Sequence, residues 1–108
     1  MPEDACLLVH TTLPDTAQAE RIARLLVERQ LVACASVQAP CRSIYRWQGV
    51  VEEASEIPLL LKTTAAAYPA LAAALRAEHP YEVPEIIAVP ITHGLPDYLA
   101  WLRSNVSA

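Results

Sequence analysis

Between Ala33 and Trp47 the chain alternates: Ala33, Ala35, Val37, Ala39, Cys41, Tyr45 and Trp47 share one parity, and Ser36, Gln38, Arg42, Arg46 and Gln48 the other. A period of two belongs to an extended strand with two unlike faces, so the run predicts one long strand over 33–47. Gln48-Gly49 follows, and a glycine at a chain reversal supplies the positive φ that a tight hairpin needs. The returning arm, Val50 to Thr64, ends in the apolar block Ile57 to Leu61, where Pro58 points to an edge position or a bulge. A hairpin this long constrains everything else in a chain of 108 residues.

The remaining segments read by the same logic. Cys6 to His10 is a short apolar strand, closed by a polar break from Thr11 to Asp15. Asp15 with Gln18 resembles a capping box, and Ala19, Ile22, Ala23, Leu26 and Val27 recur at helical spacing, which predicts a helix over 16–30. Tyr68, Leu71, Ala72 and Leu75 predict a second helix over 66–78; His79 stands before Pro80, where helical geometry is disfavoured. Ile86 to Ile91, interrupted by Pro90, reads as another apolar strand, and Tyr98, Leu99, Trp101 and Leu102 suggest a short C-terminal helix.

The order βαββαβ plus a tail helix predicts an α+β, ferredoxin-like sandwich occupying residues 1–108 as one domain, with both helices on one face of an antiparallel sheet. Several strands are apolar at both parities, which a sheet with one wet face does not need. Other copies of the chain are the expected cover for that second face, giving a closed homo-oligomer. The alternative is that the tail helix folds back over it.

Composition excludes several classes of function. Lys and Arg number 8 against 12 Asp and Glu, a net charge of -4, so the basic surplus needed to bind nucleic acid is missing. No apolar run reaches the ~20 residues of a bilayer span, so no membrane segment is expected. The acidic N-terminus lacks the pattern of a secretory leader, and three cysteines without a CxxC pair fit a reducing compartment; the expected location is the cytoplasm. With only Gly49 and Gly94, a glycine-rich phosphate loop is excluded, and no nucleophile with an adjacent base stands out, so an enzyme is not expected.

The candidate chemistry is sparse. His10, His79 and His93 are the imidazoles, and no HxH, HExxH or CxxC spacing marks a preformed zinc site. Cys34 and Cys41 fall on opposite parities of the long strand, so one chain does not bring them to one ion, and Cys6 begins the first strand. Tyr45 and Trp47 near the hairpin tip suit docking against a neighbouring copy. Trp47, Lys62, Tyr81, Glu82 and Glu85, with Arg46, are the candidate walls of a ligand cleft between copies, the two cations offering a hold for a small anion.

Four blocks carry a family likeness: Leu-Val-Ala-Cys at 31–34, Ser-Ile-Tyr-Arg-Trp-Gln-Gly at 43–49, Lys-Thr-Thr at 62–64 and His-Pro-Tyr-Glu-Val-Pro-Glu-Ile at 79–86. In order and spacing they resemble the signature blocks of the CutA family of divalent-cation-tolerance proteins, over essentially the whole chain. The resemblance implies a ferredoxin-like protomer in a tight homotrimer with hairpins reaching between protomers, and a cytoplasmic role in tolerance of copper and other divalent cations, with no organic cofactor. Copper ligands proposed for some members, a cysteine ending the first strand and a histidine pair before Pro-Tyr, correspond here to Thr11, Glu78 and His79. The implied metal candidates are therefore His79, Glu78, Cys34 and Thr11, with His10 able to contribute, for Cu(II) or another divalent ion. The other reading is a signalling or ligand-binding trimer with its small-molecule site in the intersubunit cleft.

Overall fold

The computed structural model describes residues 1–107. Five strands and three helices follow in the order β1 (Cys6–Leu13), α1 (Thr16–Glu28), β2 (Cys34–Val37), β3 (Cys41–Trp47), β4 (Val50–Thr64), α2 (Tyr68–Glu78), β5 (Ile87–Pro90) and α3 (Pro96–Ser104). All pairings are antiparallel. The sheet runs β2-β4-β1-β5, and β3 extends it by pairing with the first half of β4.

Local chemistry sets the element ends. The Asp15 carboxylate accepts the Gln18 backbone N–H at 2.8 Å and the Gln18 side-chain amide at 3.1 Å, capping α1. The helix stops two residues short of the expected end, and Gln30 takes a left-handed φ of 58° to turn the chain out. At the hairpin tip Gln48 and Gly49 both have positive φ, 51° and 81°, and Trp47 pairs with Val50, the geometry of a two-residue turn whose twist matches the strands. His79 adopts an extended backbone at the end of α2, as a residue before proline must.

The expected 33–47 strand is broken. Cys34 to Val37 pair with Lys62 to Leu59, and Cys41 to Trp47 pair with Glu56 to Val50. Three residues, Gln38 to Pro40, therefore stand opposite two, Ile57 and Pro58, and Gln38 N–H donates to the Pro58 carbonyl at 2.9 Å. One extra residue is a β-bulge, and it reverses which parity faces which side. Ala35 and Val37 follow their partners Leu61 and Leu59 toward the helices, whereas Tyr45 and Trp47 lie on the opposite face. The expectation that all of these share one face is corrected by this insertion. Pro58 sits at that irregularity, but on an interior strand rather than an edge.

Two further boundaries move. β1 continues through Thr11, Thr12 and Leu13, all buried and paired with Leu59, Pro58 and Ile57, so the expected polar break is strand. The last strand is the shorter Ile87–Pro90, exposed along its length.

The core lies between one sheet face and the helices. Val9 and Leu13 of β1 and Ile57, Leu59 and Leu61 of β4 pack with Ile22 and Leu26 of α1 and Leu71 and Leu75 of α2. The second face is covered in part by α3, whose Tyr98 ring lies 5.4 Å from Lys62 Nζ and whose Leu102 is fully buried. Ile87 and Val89 of β5, along with Trp47, Val50 and Val51 of the hairpin, remain exposed. The hairpin gives the molecule its elongated outline of 44 × 25 × 24 Å.

Candidate functional site

A cavity of about 720 Å³ opens between the hairpin and the segment that follows α2. Tyr45 and Trp47 from β3, Glu52 and Glu56 from β4, and Tyr81 and Glu82 from the segment form its principal walls. Glu52 and Glu56 reach one side because they are four residues apart on one strand, and β3 faces them in register, Tyr45 opposite Glu52.

Glu56 is the fixed point. It is 9% exposed, and its Oε2 accepts from the Thr12 hydroxyl at 3.0 Å and the Tyr81 hydroxyl at 2.8 Å. Burial opposes ionisation, yet the hydroxyls of Ser43, Tyr81 and Thr12 together outweigh it and hold the carboxyl below its ordinary range. Tyr81 is driven far above the usual phenol value, first by burial and then by donating to Glu56, so it stays a donor.

Behind Tyr81 lies a buried imidazole. His79 Nδ1 accepts the Tyr81 backbone N–H at 3.2 Å, and the rings pack at 5.0 Å between centroids. A neutral imidazole has one acceptor and one donor nitrogen, so Nε2 carries the proton and donates to Thr11 Oγ1 at 3.0 Å. Burial pushes the His79 pKa below its ordinary value, which the Thr12 backbone and the Glu56 charge offset only in part.

The four metal candidates do not meet. Thr11 and His79 touch, but their bond occupies Nε2, and Tyr81 occupies Nδ1, leaving the imidazole no open lone pair. Glu78 turns to Arg21, 2.8 Å from Nη1. Cys34 pairs with Lys62, three rungs along β4 from the Leu59 that pairs with Thr11, about 10 Å at strand spacing, and on the opposite face. Its Sγ lies 3.8 Å from the Ser36 hydroxyl. Among the described residues no three His, Cys, Asp or Glu side chains converge in a way that would hold a metal ion.

The cleft candidates divide. Trp47, Tyr81, Glu82 and Glu85 line the cavity. Lys62 does not: it lies against Tyr98, whose hydroxyl raises its pKa. Arg46 alternates away and donates to the Gly49 carbonyl at 3.2 Å. The cavity is thus acidic, and neither Lys62 nor Arg46 lines it within this protomer. Glu85 is 3.1 Å from His10 Nε2, whereas no basic side chain of the described residues pairs with Glu52, Glu56 or Glu82.

Sequence reading passed over Glu52, Glu56 and Thr12. The available signal was Glu56 itself, a carboxylate directly before the apolar block from Ile57, whose parity puts it on the face away from the helices.

The model of the CutA1 divalent ion tolerance protein family matches residues 7–105. This chain belongs to that family. The divalent-cation tolerance protein CutA of Thermus thermophilus is 49% identical over 98 residues, covering 91% of this chain and 95% of the relative. The solved structure of the divalent cation tolerance protein from Thermus thermophilus superposes with a TM-score of 0.92 at 47% identity, covering 94% of this chain and 99% of that one. The stable CutA1 of a psychrotrophic Shewanella species gives 0.93 at 41%, covering 99% and 98%. The stretch matched to the CutA1 family includes every residue of the acidic cavity and of the Thr11–His79–Tyr81–Glu56 chain of hydrogen bonds.

Proposed function

We propose that this chain serves divalent-cation tolerance as a cytoplasmic, non-enzymatic homotrimer of ferredoxin-like protomers that binds copper or another divalent metal ion in the hairpin cavity. The observation that carries the reading is electrostatic: Glu52, Glu56 and Glu82 line one cavity without a basic partner among the described residues. Carboxylate oxygens suit divalent ions, and the affinity of first-row divalent metals for a given site rises to a maximum at copper and falls again at zinc. Because no three such groups come together among the described residues of one protomer, a second copy completes the ligand set. Exposed Ile87, Val89 and Trp47 supply apolar surface for that assembly, and the sheet order β2/β3-β4-β1-β5 fits the split βαβ arrangement. Free Cys6, Cys34 and Cys41 accord with a reducing compartment.

Native mass spectrometry of metal-free protein, with and without Cu(II) and with Zn(II) as competitor, tests this. A trimer that takes up copper and loses the uptake in Glu56→Gln and Glu82→Gln is expected. A monomer, or a trimer whose copper uptake is unchanged in both variants, overturns it.

A further inference from the structure

We propose that residues 80–85 form a strap at the wall of the hairpin cavity, latched by the Tyr81 hydroxyl on Glu56, that opens as a unit while the rest of the fold stays closed. The strap acts on a carboxylate assigned above to metal binding but stands without that assignment.

The sequence denies this segment a ladder. β5 pairs with Leu7 to His10, whereas β1 continues to Leu13, so Thr11 to Leu13 have no strand partner on that side. The segment that meets β1 there, through His79 at Thr11 and Glu85 at His10, carries Pro80 and Pro84, which have no N–H to give to a ladder. Among the described residues no main-chain hydrogen bond joins 80–85 to the rest of the chain.

The ends are fixed and the middle is not. His79 is buried and bonded to Thr11, and Ile86 packs against the core. Between them Pro80, Glu82, Val83 and Glu85 are exposed, Val83 at 65%. Two side-chain contacts hold this stretch to the strands: Tyr81 Oη donates to Glu56 Oε2 at 2.8 Å, and Glu85 lies 3.1 Å from His10 Nε2. The second joins side chains that are 33% and 47% exposed, and such pairs contribute little. The first ends on a nine-tenths buried carboxylate, where a hydrogen bond to charge is strong, and this makes it the latch. The contacts of Tyr81 with His79 lie within the hinge itself.

A segment without main-chain bonds and with one strong tether opens at a fraction of the free energy of global unfolding. Pro80 and Pro84 hold φ fixed near both ends, so Tyr81, Glu82 and Val83 swing together rather than fraying singly. Opening withdraws these three residues from the cavity wall and frees Glu56 Oε2 of one of its two donors, so the latch sets how often that oxygen is offered to the cavity.

Limited proteolysis of the full chain with a glutamate-specific protease, read by mass spectrometry at the Glu82–Val83 bond, tests this. Tyr81→Phe keeps the ring and removes the latch, so cleavage there should become about tenfold faster. Leu61→Ala, which lowers global stability from a core position outside the segment, should cleave within about twofold of wild type, and urea below the unfolding transition should leave the wild-type rate unchanged. Cleavage of Tyr81→Phe no faster than wild type overturns the proposal, as does an acceleration of the same size in Leu61→Ala or in urea. The assay is run without metal, so its failure is separate from a failure of copper uptake.

Discussion

Thr11 Oγ1 and His79 Nε2 are 3.0 Å apart, joining residues 68 positions distant in sequence at the junction of β1 and the end of α2. Thr11 is fully buried and His79 is 8% exposed, so neither has water as an alternative partner. Thr11→Val keeps the shape and removes the acceptor, leaving a buried imidazole N–H unpaired. The expected loss is about 1–3 kcal/mol, measured as a shift in the urea midpoint with the m-value unchanged.

The same histidine sets a pH dependence. Burial lowers its folded-state pKa below 6.5, so the folded protein holds fewer protons on His79 than the unfolded chain does. Its contribution is complete above about pH 6.5 and is lost as pH falls through the folded value. Melting temperature should therefore drop between pH 7 and 5, and His79→Gln should flatten that drop. An equally steep fall in the variant assigns the effect to another group.

Glu56 acts in a lower window. Its folded pKa is also depressed, so its stabilisation is present above the unfolded carboxylate value and disappears as pH falls further. Tyr81→Phe removes one of its donors and should raise the Glu56 pKa, visible in carboxyl-resolved NMR titration. A cost of about 1–2 kcal/mol above pH 5 should accompany it.

Gly49 has φ 81° and open space around a Cβ position, so Gly49→Ala carries a backbone penalty without a clash. About 1 kcal/mol is expected, read from thermal unfolding. Leu61→Ala, at a fully buried position between sheet and helices, should cost about 2–5 kcal/mol in the same assay.

Much of the fold was legible because its signals are local. Asp15 and Gln18 marked the start of α1 by a hydrogen bond spanning three residues, and Gln48-Gly49 marked the reversal by the φ it permits. The extension of β1 through Thr11 and Thr12 was not legible, because two threonines look like a break until Leu59 and Pro58 pair with them. Of the cleft candidates, Trp47, Tyr81, Glu82 and Glu85 meet at one cavity, and Lys62 and Arg46 leave it. Charge type could be read from sequence; the direction each side chain takes from its strand could not.

The sequence by itself determined where helices and strands alternate, apart from the break in the 33–47 strand, together with the hairpin turn and the capped first helix, since each rests on periodicity or on contacts between near neighbours. Only the tertiary structure decided which face Tyr45 and Trp47 occupy, because the bulge at Gln38 to Pro40 arises from pairing with β4 and reverses a parity that looks continuous in the chain. It also decided that Thr11, His79, Tyr81 and Glu56 form one hydrogen-bonded chain, since burial removes water as a partner and leaves distant side chains to satisfy one another.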